Sequence, residues 1–563
     1  MGFSKYILLS FFQFYILRFN FFLNIYFNIL KITNFIKNIK KNSIKIFFNY
    51  KKKNDEDQSY TNNEYVIINS NISYVNYDHF FITCELLNYF KKLKVKPFLF
   101  KSKQFRSQLN KIGYESSNPL NFYSKISIKN IKEISNQLIN KTISTILKYE
   151  YHGVSCGKYA ISTSMRMLRV SEIDLNNKNQ KLCLLYNLRK SIMYADAAIN
   201  FVNSNKIKFA LFNDRGYSGE GELYDICIKN NITCVQYIAT YKNNSFLFKK
   251  FNENNKFEHP SAVSEKIWNI FSNKTLSSTQ EKYLFKEIEK GYLENTWYPS
   301  AGTMVGKNIK NYKEINNELG IKNSKKIAVI FPHIFWDGTF FYGEDLFLSY
   351  EQWFEQTIKY AEKNKNINWI IKAHPSNQTK NAQDNIKEKK IEPELEKILN
   401  IFGKLPDNFY YLPSKSKINT YFLLNLLDYC ITVRGTVGLE AAMRGKYVIT
   451  AGTGRYENKG FTHNYMDISS YRKTIENLDI FESSLNDIKS QANKFAYISL
   501  ICKNFIPDNF NFYYKQNIKS EMFIDENFFS NTFEIKNDDN FIKWLSNSEE
   551  DYFKDPCDHW HIL

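Results

Sequence analysis

The 563-residue sequence lacks the patterns by which several classes of protein are recognised. It contains no Cys-x-x-Cys pair, no zinc-finger spacing, no RNA-recognition motif and no basic helix with heptads. These absences argue against nucleic-acid binding, although the formal net charge of +19 first suggests a polyanionic partner. Because the lysines are spread through sequence rich in Asn and Ile, compositional bias explains much of that charge.

Cysteine is sparse, and the sequence shows no pattern typical of a metal site. The eight cysteines are scattered, which indicates reduced thiols in a cytoplasmic protein rather than a disulfide framework. No Asp-x-Asp motif stands at the end of a predicted strand, and the polar residues around Cys557 and His561 resemble a metal cluster only superficially. The sequence therefore predicts neither a metal site nor a required cofactor.

No uninterrupted hydrophobic run marks the amino end. Residues 6–30 are dense in Phe, Leu, Ile and Tyr, but Arg18 and several Asn interrupt them, and no small-residue cleavage site of a secretory signal follows. Residues 1–55 instead predict an amphipathic helical segment at the inner membrane, whose basic run 31–53 meets anionic lipid of the cytoplasmic leaflet. The alternative is a helix packed on the protein itself.

The rest of the chain alternates predicted strands and helices in the manner of an α/β protein. In the second half, a strand at Lys325–Phe331, a helix at Trp353–Glu362 and a strand at Asn368–Ala373 form one βαβ unit. Strands at Tyr65–Asn69 and Phe209–Phe212 open similar units in the first half. The predicted divisions are a membrane-associating segment and linker (1–55), two Rossmann-like domains facing a central cleft (56–305 and 306–520) and a helical tail (521–563).

The most informative stretch is 418–462, which combines a strand, a glycine turn, a helix and a second strand. The strand Tyr429–Val433 ends at a turn whose glycines allow close backbone approach, and the first-turn N–H groups of the following helix suit a phosphate. An arginine adds positive charge, and a glutamate on the helix is placed to accept hydrogen bonds from a ribose or sugar. The predicted nucleotide-binding residues are Arg434, Gly435, Thr436, Gly438, Glu440 and, in the next loop, Gly452.

A second candidate lies at the end of the strand Asn368–Ala373. His374 and Pro375 follow this strand, and Lys372 precedes them. Open α/β sheets bind their ligands just beyond the carboxyl ends of the strands. We therefore expect Lys372, His374 and Pro375 to bind the same ligand, with a purely structural histidine as the alternative.

Three blocks of the second half, WDGTFF (336–341), IIKAHP (370–375) and the run from Leu412 to Gly452, resemble the capsule polysaccharide biosynthesis family. That family contains Kdo-transferase-like enzymes of the two-domain GT-B type. The blocks 151–166 and 209–227 resemble acceptor-side blocks of related surface-glycan proteins. The His-Pro motif and the glycine-helix are shared, with changed details, by sialyltransferases, polysialyltransferases and the CDP-glycerol polymerases of teichoic acid synthesis.

The resemblance implies a GT-B-like glycosyltransferase in which 56–305 is the acceptor domain and 306–520 is the nucleotide-sugar domain. The donor is CMP-linked by family analogy, and the acceptor is a polysaccharide or lipid-linked glycan. It supports His374 as a phosphate ligand or proton donor and Glu440 as a donor-binding carboxylate. Arg434-Gly435 departs from the Ser or Thr pair, or the Gln, of many relatives. The location implied is cytoplasmic, peripheral at the inner membrane.

Transfer to a hydroxyl group needs a base within hydrogen-bond reach. Asp214 follows the strand Phe209–Phe212, and Glu220 lies in the glycine-rich loop after it. Either residue is a candidate base, and either is equally a candidate cap of the next helix. On the acceptor side we add Gly153, Arg166 and Asp337, which have structural alternatives in a turn, an ion pair and the cleft wall.

Three other functions stay open at this point. One is a CDP-glycerol-type phosphotransferase, which would make a phosphodiester rather than a glycoside. Another is a noncatalytic scaffold of a glycan assembly complex, which would tolerate loss of Asp214, His374 and Glu440 together. Nucleic-acid binding is the weakest, and it would show a steep dependence on salt.

Overall fold

The computed structural model describes most of the chain beyond the amino-terminal segment. The described residues are 64–69, 82, 83, 85, 86, 89, 90, 93, 96–99, 120–294, 306–309, 311–321, 323–337, 340–383, 391–514, 522–524 and 539–561. The predicted membrane-associating segment 1–55 lies outside them, as do residues 295–305 at the end of the predicted first domain. Among the helices of the described part, none has both the length and the apolar character needed to cross a bilayer.

The first domain is built on a six-stranded sheet in the order β12-β5-β4-β3-β1-β2. Strands β1 to β4 are parallel, whereas β5 and β12 are antiparallel to their neighbours. The strands are β1 Tyr65–Asn69, β2 Lys96–Leu99, β3 Ile207–Phe212, β4 Thr233–Ala239, β5 Phe246–Phe251 and β12 Asn504–Phe505. The helices are α1 Ile128–Leu138, α2 Ile143–Leu147, α3 Cys156–Leu168, α4 Lys178–Asn203, α5 Gly221–Lys229, α6 Glu265–Phe271 and α7 Ser278–Leu293.

The second domain contains a six-stranded, fully parallel sheet in the order β11-β10-β9-β6-β7-β8. Its strands are β6 Ile327–Ile330, β7 Asn368–Lys372, β8 Phe409–Leu412, β9 Tyr429–Thr432, β10 Tyr447–Thr450 and β11 His463–Asn464. Its helices are α8 Tyr312–Leu319, α9 Tyr350–Lys363, α10 Ser376–Gln383, α11 Pro393–Phe402, α12 Thr420–Leu426, α13 Thr436–Ala442 and α14 Ile468–Glu476. Strands β6, β7 and β9 are buried along their whole length, as expected of a parallel sheet covered by helices on both faces.

After α14 the chain returns to the first domain. Helix α15, Ile488–Ala496, continues into a π-helical turn at Tyr497–Cys502, and β12 then pairs with β5 of the first sheet. A hairpin of β13 Phe512–Tyr514 and β14 Met522–Ile524 precedes helix α16, Asp539–Ser546. Because β12 precedes residue 520, the predicted boundary at 520 does not coincide with the point of return.

The two domains interlock through the loop after β6. Phe341 is buried and stacks on Tyr159 of α3, with ring centroids 4.5 Å apart and planes 5° apart. The next residue, Tyr342, donates a hydrogen bond to Asp214 at 3.2 Å. An aromatic pair from the second domain is thus part of the core of the first, so the two sheets are held around a common cleft.

The α/β fold with two Rossmann-like domains in a GT-B-like arrangement is confirmed. Individual elements differ from the sequence predictions. The sequence also predicts helices at Gln137–Tyr149 and Arg189–Asn203. In the structure α1 ends at Leu138 and a separate α2 begins at Ile143, because Thr142 adopts an extended conformation and caps α2. The 26-residue α4 begins at Lys178, well before Arg189, after a cap formed by Asn177.

Candidate functional site

A pocket lies at the point where the strand order of the second sheet reverses. The chain runs from β6 outward to β7 and β8, then returns to β9 on the other side of β6. Open α/β sheets bind ligands at such switch points, beyond the carboxyl ends of the strands. The pocket is lined by residues that follow β6, β7 and β9, together with Tyr292 from α7 of the first domain.

His374 enters this pocket in a defined tautomer. The backbone N–H of Ser376 donates to His374 Nδ1 at 3.1 Å, so in the neutral ring the proton is on Nε2. Among the described residues Nε2 has no hydrogen-bond partner. Burial, with Lys380 and Lys372 nearby, lowers the pKa of His374 to about 3. The imidazole is therefore neutral at physiological pH and presents an N–H donor to a ligand.

Lys372 is a buried amine at the end of β7. Its side chain lines the pocket and the residue is only 3% exposed, yet its amine makes no hydrogen bond to any residue that the structure describes. Burial, reinforced by Lys307, lowers the pKa of Lys372 to about 7. A buried cation without an anionic partner is costly, so the site favours a ligand that brings negative charge.

Glu440 contacts a residue of the other domain across the pocket. It lies on α13, is 4% exposed, and accepts a hydrogen bond from the hydroxyl of Tyr292. Gly435 and Thr436, at the start of the same helix, also line the pocket. The pocket has a volume of about 130 Å³, below the roughly 300–1,000 Å³ typical of small-molecule sites. Movement of a wall such as Tyr292 would make room for a larger ligand.

Three predicted residues lie behind the pocket wall rather than in its lining. The guanidinium of Arg434 pairs with Asp345 and donates to the carbonyl of Glu344 at 3.0 Å. A Cβ on Gly452 would lie 2.6 Å from Val433, and one on Gly438 would lie 2.3 Å from the hydroxyl of Tyr456. In the structure these three residues therefore pack the loops that shape the pocket, and their direct contact with a ligand stays a prediction.

His333 also lines the pocket, and the sequence analysis did not select it. It follows β6 as His374 follows β7, so the same strand-end rule would have found it. Its ring stacks on Tyr350 at 4.4 Å, and its Nε2 accepts from the backbone N–H of Arg434 at 3.4 Å. Burial, together with His374 and Arg434, holds its pKa well below the usual range.

Arg166 and Asp337, two of the predicted acceptor-side residues, meet in the interdomain cleft. Their side chains lie 3.7 Å apart, and Lys380 of α10 lies 3.7 Å from the other carboxylate oxygen of Asp337. Tyr217 donates to Asp337 at 2.8 Å. Burial would raise the pKa of Asp337, but Lys380 and Arg166 outweigh it, so the pKa is lowered and the carboxylate stays charged. Lys380 and Tyr217 are not among the residues predicted from the sequence.

The two candidate bases have different surroundings. Asp214 is half-buried at the end of β3, at the switch point of the first sheet, and its Oδ1 accepts from Gly216 N–H and the Tyr342 hydroxyl. Its Oδ2 accepts no hydrogen bond from the described residues. Glu220 is 2% exposed, and its Oε2 accepts the N–H groups of Asn213 and Asp214 at 3.1 Å each. Glu220 does not cap α5, although it occupies the cap position.

Gly153 is placed away from these residues. It has φ +83° in an exposed turn, and a Cβ there would lie 2.6 Å from Lys229 Nζ. Lys229 is the last residue of the nine-residue α5, whose first residue adjoins Glu220. At a rise of about 1.5 Å per residue this is the far end of the helix from the Asp214 loop. The left-handed backbone of the turn is a sufficient reason for glycine at this position.

No group of three or more His, Cys, Asp or Glu side chains within the described ranges is arranged to hold a metal ion.

Comparison with known proteins gives one match to a family. Residues 280–493 match the family described as capsule polysaccharide biosynthesis protein, which confirms the resemblance over that part of the chain. The match includes the whole pocket lining, Tyr292 among it. A search of curated proteins gave no match.

Several solved structures are similar at low TM-scores. A Thermosulfurimonas dismutans KpsC, beta Kdo 2,7 transferase, is 12% identical with a TM-score of 0.33, covering 58% of this chain and 85% of that one. The beta Kdo 2,4 transferase of the same organism is 10% identical with a TM-score of 0.30, covering 52% and 80%. A UDP-GlcNAc 2-epimerase from Neisseria meningitidis is 11% identical with a TM-score of 0.27, covering 77% and 97%.

Proposed function

We propose that this protein is a glycosyltransferase that moves a sugar from a nucleotide-activated donor to a capsular or other surface polysaccharide. One observation carries the proposal. The pocket at the switch point of the second sheet brings together a buried amine, a neutral imidazole N–H and a carboxylate, which belong to Lys372, His374 and Glu440. The family match over 280–493 supports it.

The donor phosphate is proposed to bind Lys372 and His374. The ammonium of Lys372 and the Nε2–H of His374 offset the charge that develops on the phosphate as it leaves with its nucleotide. Glu440 then accepts hydrogen bonds from ribose or sugar hydroxyls. When these hydroxyls bind, the hydrogen bond from Tyr292 to Glu440 breaks and Tyr292 moves away, which also enlarges the pocket.

Asp214 is proposed as the base. The acceptor oxygen forms a bond to the anomeric carbon of the donor sugar, while the bond from that carbon to the phosphate oxygen breaks and its electron pair leaves with the phosphate. The proton of the acceptor hydroxyl passes to Asp214 Oδ2. Glu220 holds the loop by accepting the N–H of Asp214, so its role is to position the base.

Three finer features belong to the proposal. The donor is CMP-linked, by analogy with the family. Transfer needs no metal, because Lys372 and His374 stabilise the negative charge of the leaving phosphate, which a metal ion would otherwise do. The protein works at the cytoplasmic face of the inner membrane, held by its amino-terminal segment, with a polysaccharide or lipid-linked glycan as acceptor.

The test is a product assay with the full-length protein. CMP-, CDP-, UDP- and GDP-activated sugars are each incubated with an oligosaccharide mixture, with and without chelator, and products are identified by mass spectrometry. The expected result is a product larger by one sugar residue from one donor, with chelator causing no loss. A product that gains a phosphate would establish a phosphotransferase. Equal activity of wild type and the Lys372→Met, His374→Ala, Asp214→Asn triple variant would overturn the proposed site.

A further inference from the structure

A second, larger groove lies beside the pocket and has no role in the scheme above. Its volume is about 760 Å³, within the range typical of ligand sites. We propose that this groove holds the outer part of the acceptor glycan as a hydroxyl-rich oligosaccharide, on a site that extends from the cleft beside the first domain over the second domain. This inference rests on the proposed function, since it concerns the acceptor of the same transfer.

Helix α10 connects the groove with the reaction cleft. Pro375, just before the helix, lines the pocket, whereas Asn377, Gln378 and Asn381 line the groove. Lys380 of the same helix points to the cleft and lies 3.7 Å from Asp337. This helix thus forms a wall shared by the cleft and the groove, and its start adjoins the pocket. An oligosaccharide in the groove can extend along this wall toward the cleft.

The lining is rich in groups that suit hydroxyls. Within the described part of the chain, the side-chain amides of Gln378, Asn381 and Asn400 make no hydrogen bond to protein. Each amide offers both donors and an acceptor, which matches the mixed donor and acceptor character of a sugar hydroxyl.

The charges of the groove are balanced by partners on its own walls. Lys397 pairs with Glu351 at 2.6 Å. Glu392 accepts from the hydroxyl of Tyr411 at 2.7 Å and from the backbone N–H of Ser414 at 3.1 Å. The described lining carries as many acidic side chains (Glu351, Glu392, Glu396) as basic ones (Arg169, Lys397, Lys415), so this part of the groove shows no cationic excess of the kind expected of a site for a polyanion. A neutral glycan fits this lining better than a strongly acidic one.

The first domain supplies only one rim of the groove, at Arg169, Val170 and Ser171. The guanidinium of Arg169 lies 3.7 Å from the ring centroid of Trp336, and the hydroxyl of Ser171 donates to Glu351. These contacts join the rim to the second domain. The groove therefore exists in full only when the two domains are together, so acceptor binding there favours the closed cleft.

The test uses variants that fill the groove without touching the reaction cleft. Asn400 is exposed on α11 and lines the groove, so Asn400→Trp blocks it at little cost to the fold. Lys404→Trp is the matched control, because Lys404 lies just past the same helix, is 79% exposed in its side chain and does not line the groove. The probes are chitotetraose, cellotetraose and laminaritetraose as neutral glycans, and tetragalacturonate as an acidic one. Binding is measured by saturation-transfer NMR, and CMP and CDP binding by calorimetry on the same preparations.

We expect at least one neutral tetrasaccharide to bind both wild type and Lys404→Trp. Its affinity for Asn400→Trp should be about tenfold lower, or lower still. Nucleotide affinity should stay unchanged in Asn400→Trp. Equal binding by Asn400→Trp and wild type, binding of tetragalacturonate alone, or no tetrasaccharide binding to wild type would overturn the inference. If the protein binds a neutral glycan in the groove but binds no nucleotide, the groove is a glycan site and the proposed glycosyltransferase function is wrong.

Discussion

The hydroxyl of Tyr292 in the first domain donates a hydrogen bond to the carboxylate of Glu440 in the second. Tyr292 is 2% exposed and Glu440 is 4% exposed, so this bond closes the pocket from the side of the other domain. In the proposed scheme a ribose hydroxyl takes the same place. The Tyr292 hydroxyl therefore occupies the position on Glu440 that the scheme assigns to a hydroxyl of the substrate.

Tyr292→Phe tests that relationship. The variant lacks a hydrogen bond that must break when a ribose hydroxyl binds Glu440, so we expect nucleotide affinity to rise severalfold. Loss of the buried hydrogen bond should also lower the free energy of unfolding by about 1–3 kcal/mol. Calorimetric titration and urea unfolding measure the two effects. A fall in affinity would show that the Tyr292 hydroxyl contributes to nucleotide binding instead.

His374→Ala should lower kcat by about 10²-fold or more, the range typical of a group that acts on the transition state. Thermal unfolding should change little, because the half-buried ring lies in the pocket lining and its hydrogen bond within the described structure is to the backbone N–H of Ser376. His374→Gln keeps an amide N–H donor in the same region and should retain more activity than His374→Ala. Equal kcat for wild type and His374→Ala would remove this residue from the reaction.

Nucleotide binding should depend on pH through Lys372. The pKa of Lys372 is about 7 in the free protein, and a bound phosphate favours the protonated amine, which raises that pKa. The affinity for nucleotide is therefore highest below pH 7 and falls as the pH rises through 7. Near pH 7 and above, binding is accompanied by uptake of protons. Titrations at pH 6 to 8.5 in buffers of different ionisation enthalpy measure both. Lys372→Arg keeps its charge, so it should bind with a flat pH profile, and a flat profile for wild type would contradict this prediction.

Asp214→Asn should abolish most transfer while leaving the fold and the nucleotide site intact. Asparagine keeps an oxygen that can accept from Gly216 N–H and the Tyr342 hydroxyl, but it cannot take the acceptor proton. We expect a loss of about 10²–10⁴ in kcat and an unchanged Kd for nucleotide. Glu220→Gln, which retains an acceptor oxygen for the loop, should cost much less. If the larger loss belongs to Glu220→Gln, the roles of the two carboxylates are exchanged.

Phe341→Ala tests the interlocking of the domains. The ring is 4% exposed and stacked on Tyr159, so its removal should lower the free energy of unfolding by about 3–5 kcal/mol. Leu348→Ala is the control from the same stretch of chain, because Leu348 is 77% exposed. Denaturant unfolding of both variants gives the comparison. Similar small effects would mean that Phe341 does not anchor the second domain to the first.

Much of the pocket was predictable because parallel strands all end at the same edge of a sheet. That rule places the residues after β7 and β9 together, and His374, Thr436 and Glu440 do line one pocket. The same rule applies to His333 after β6, which the sequence analysis passed over. Strands could also be predicted where the sequence contains a short run of apolar residues, as in β7.

The remaining features depend on contacts between residues far apart in sequence. Arg434 follows a strand like the other residues, but Asp345, 89 residues earlier, draws its guanidinium behind the pocket wall. Tyr292 reaches Glu440 only because α7 packs against the second domain. The sequence predicts Glu220 as a base or as a helix cap. In the structure the path of its loop directs Oε2 of Glu220 toward the N–H groups of Asn213 and Asp214.

The central claim is most directly tested by calorimetric titration of the full-length protein with CMP, CDP, UMP, UDP, GDP and ADP. The account predicts saturable binding of a cytidine nucleotide that is at least tenfold weaker in Lys372→Met and in His374→Ala, with Lys404→Ala as an unaffected control. Binding of no nucleotide by the folded protein, or equal binding by both pocket variants, would contradict the assignment of this pocket to a nucleotide-activated donor.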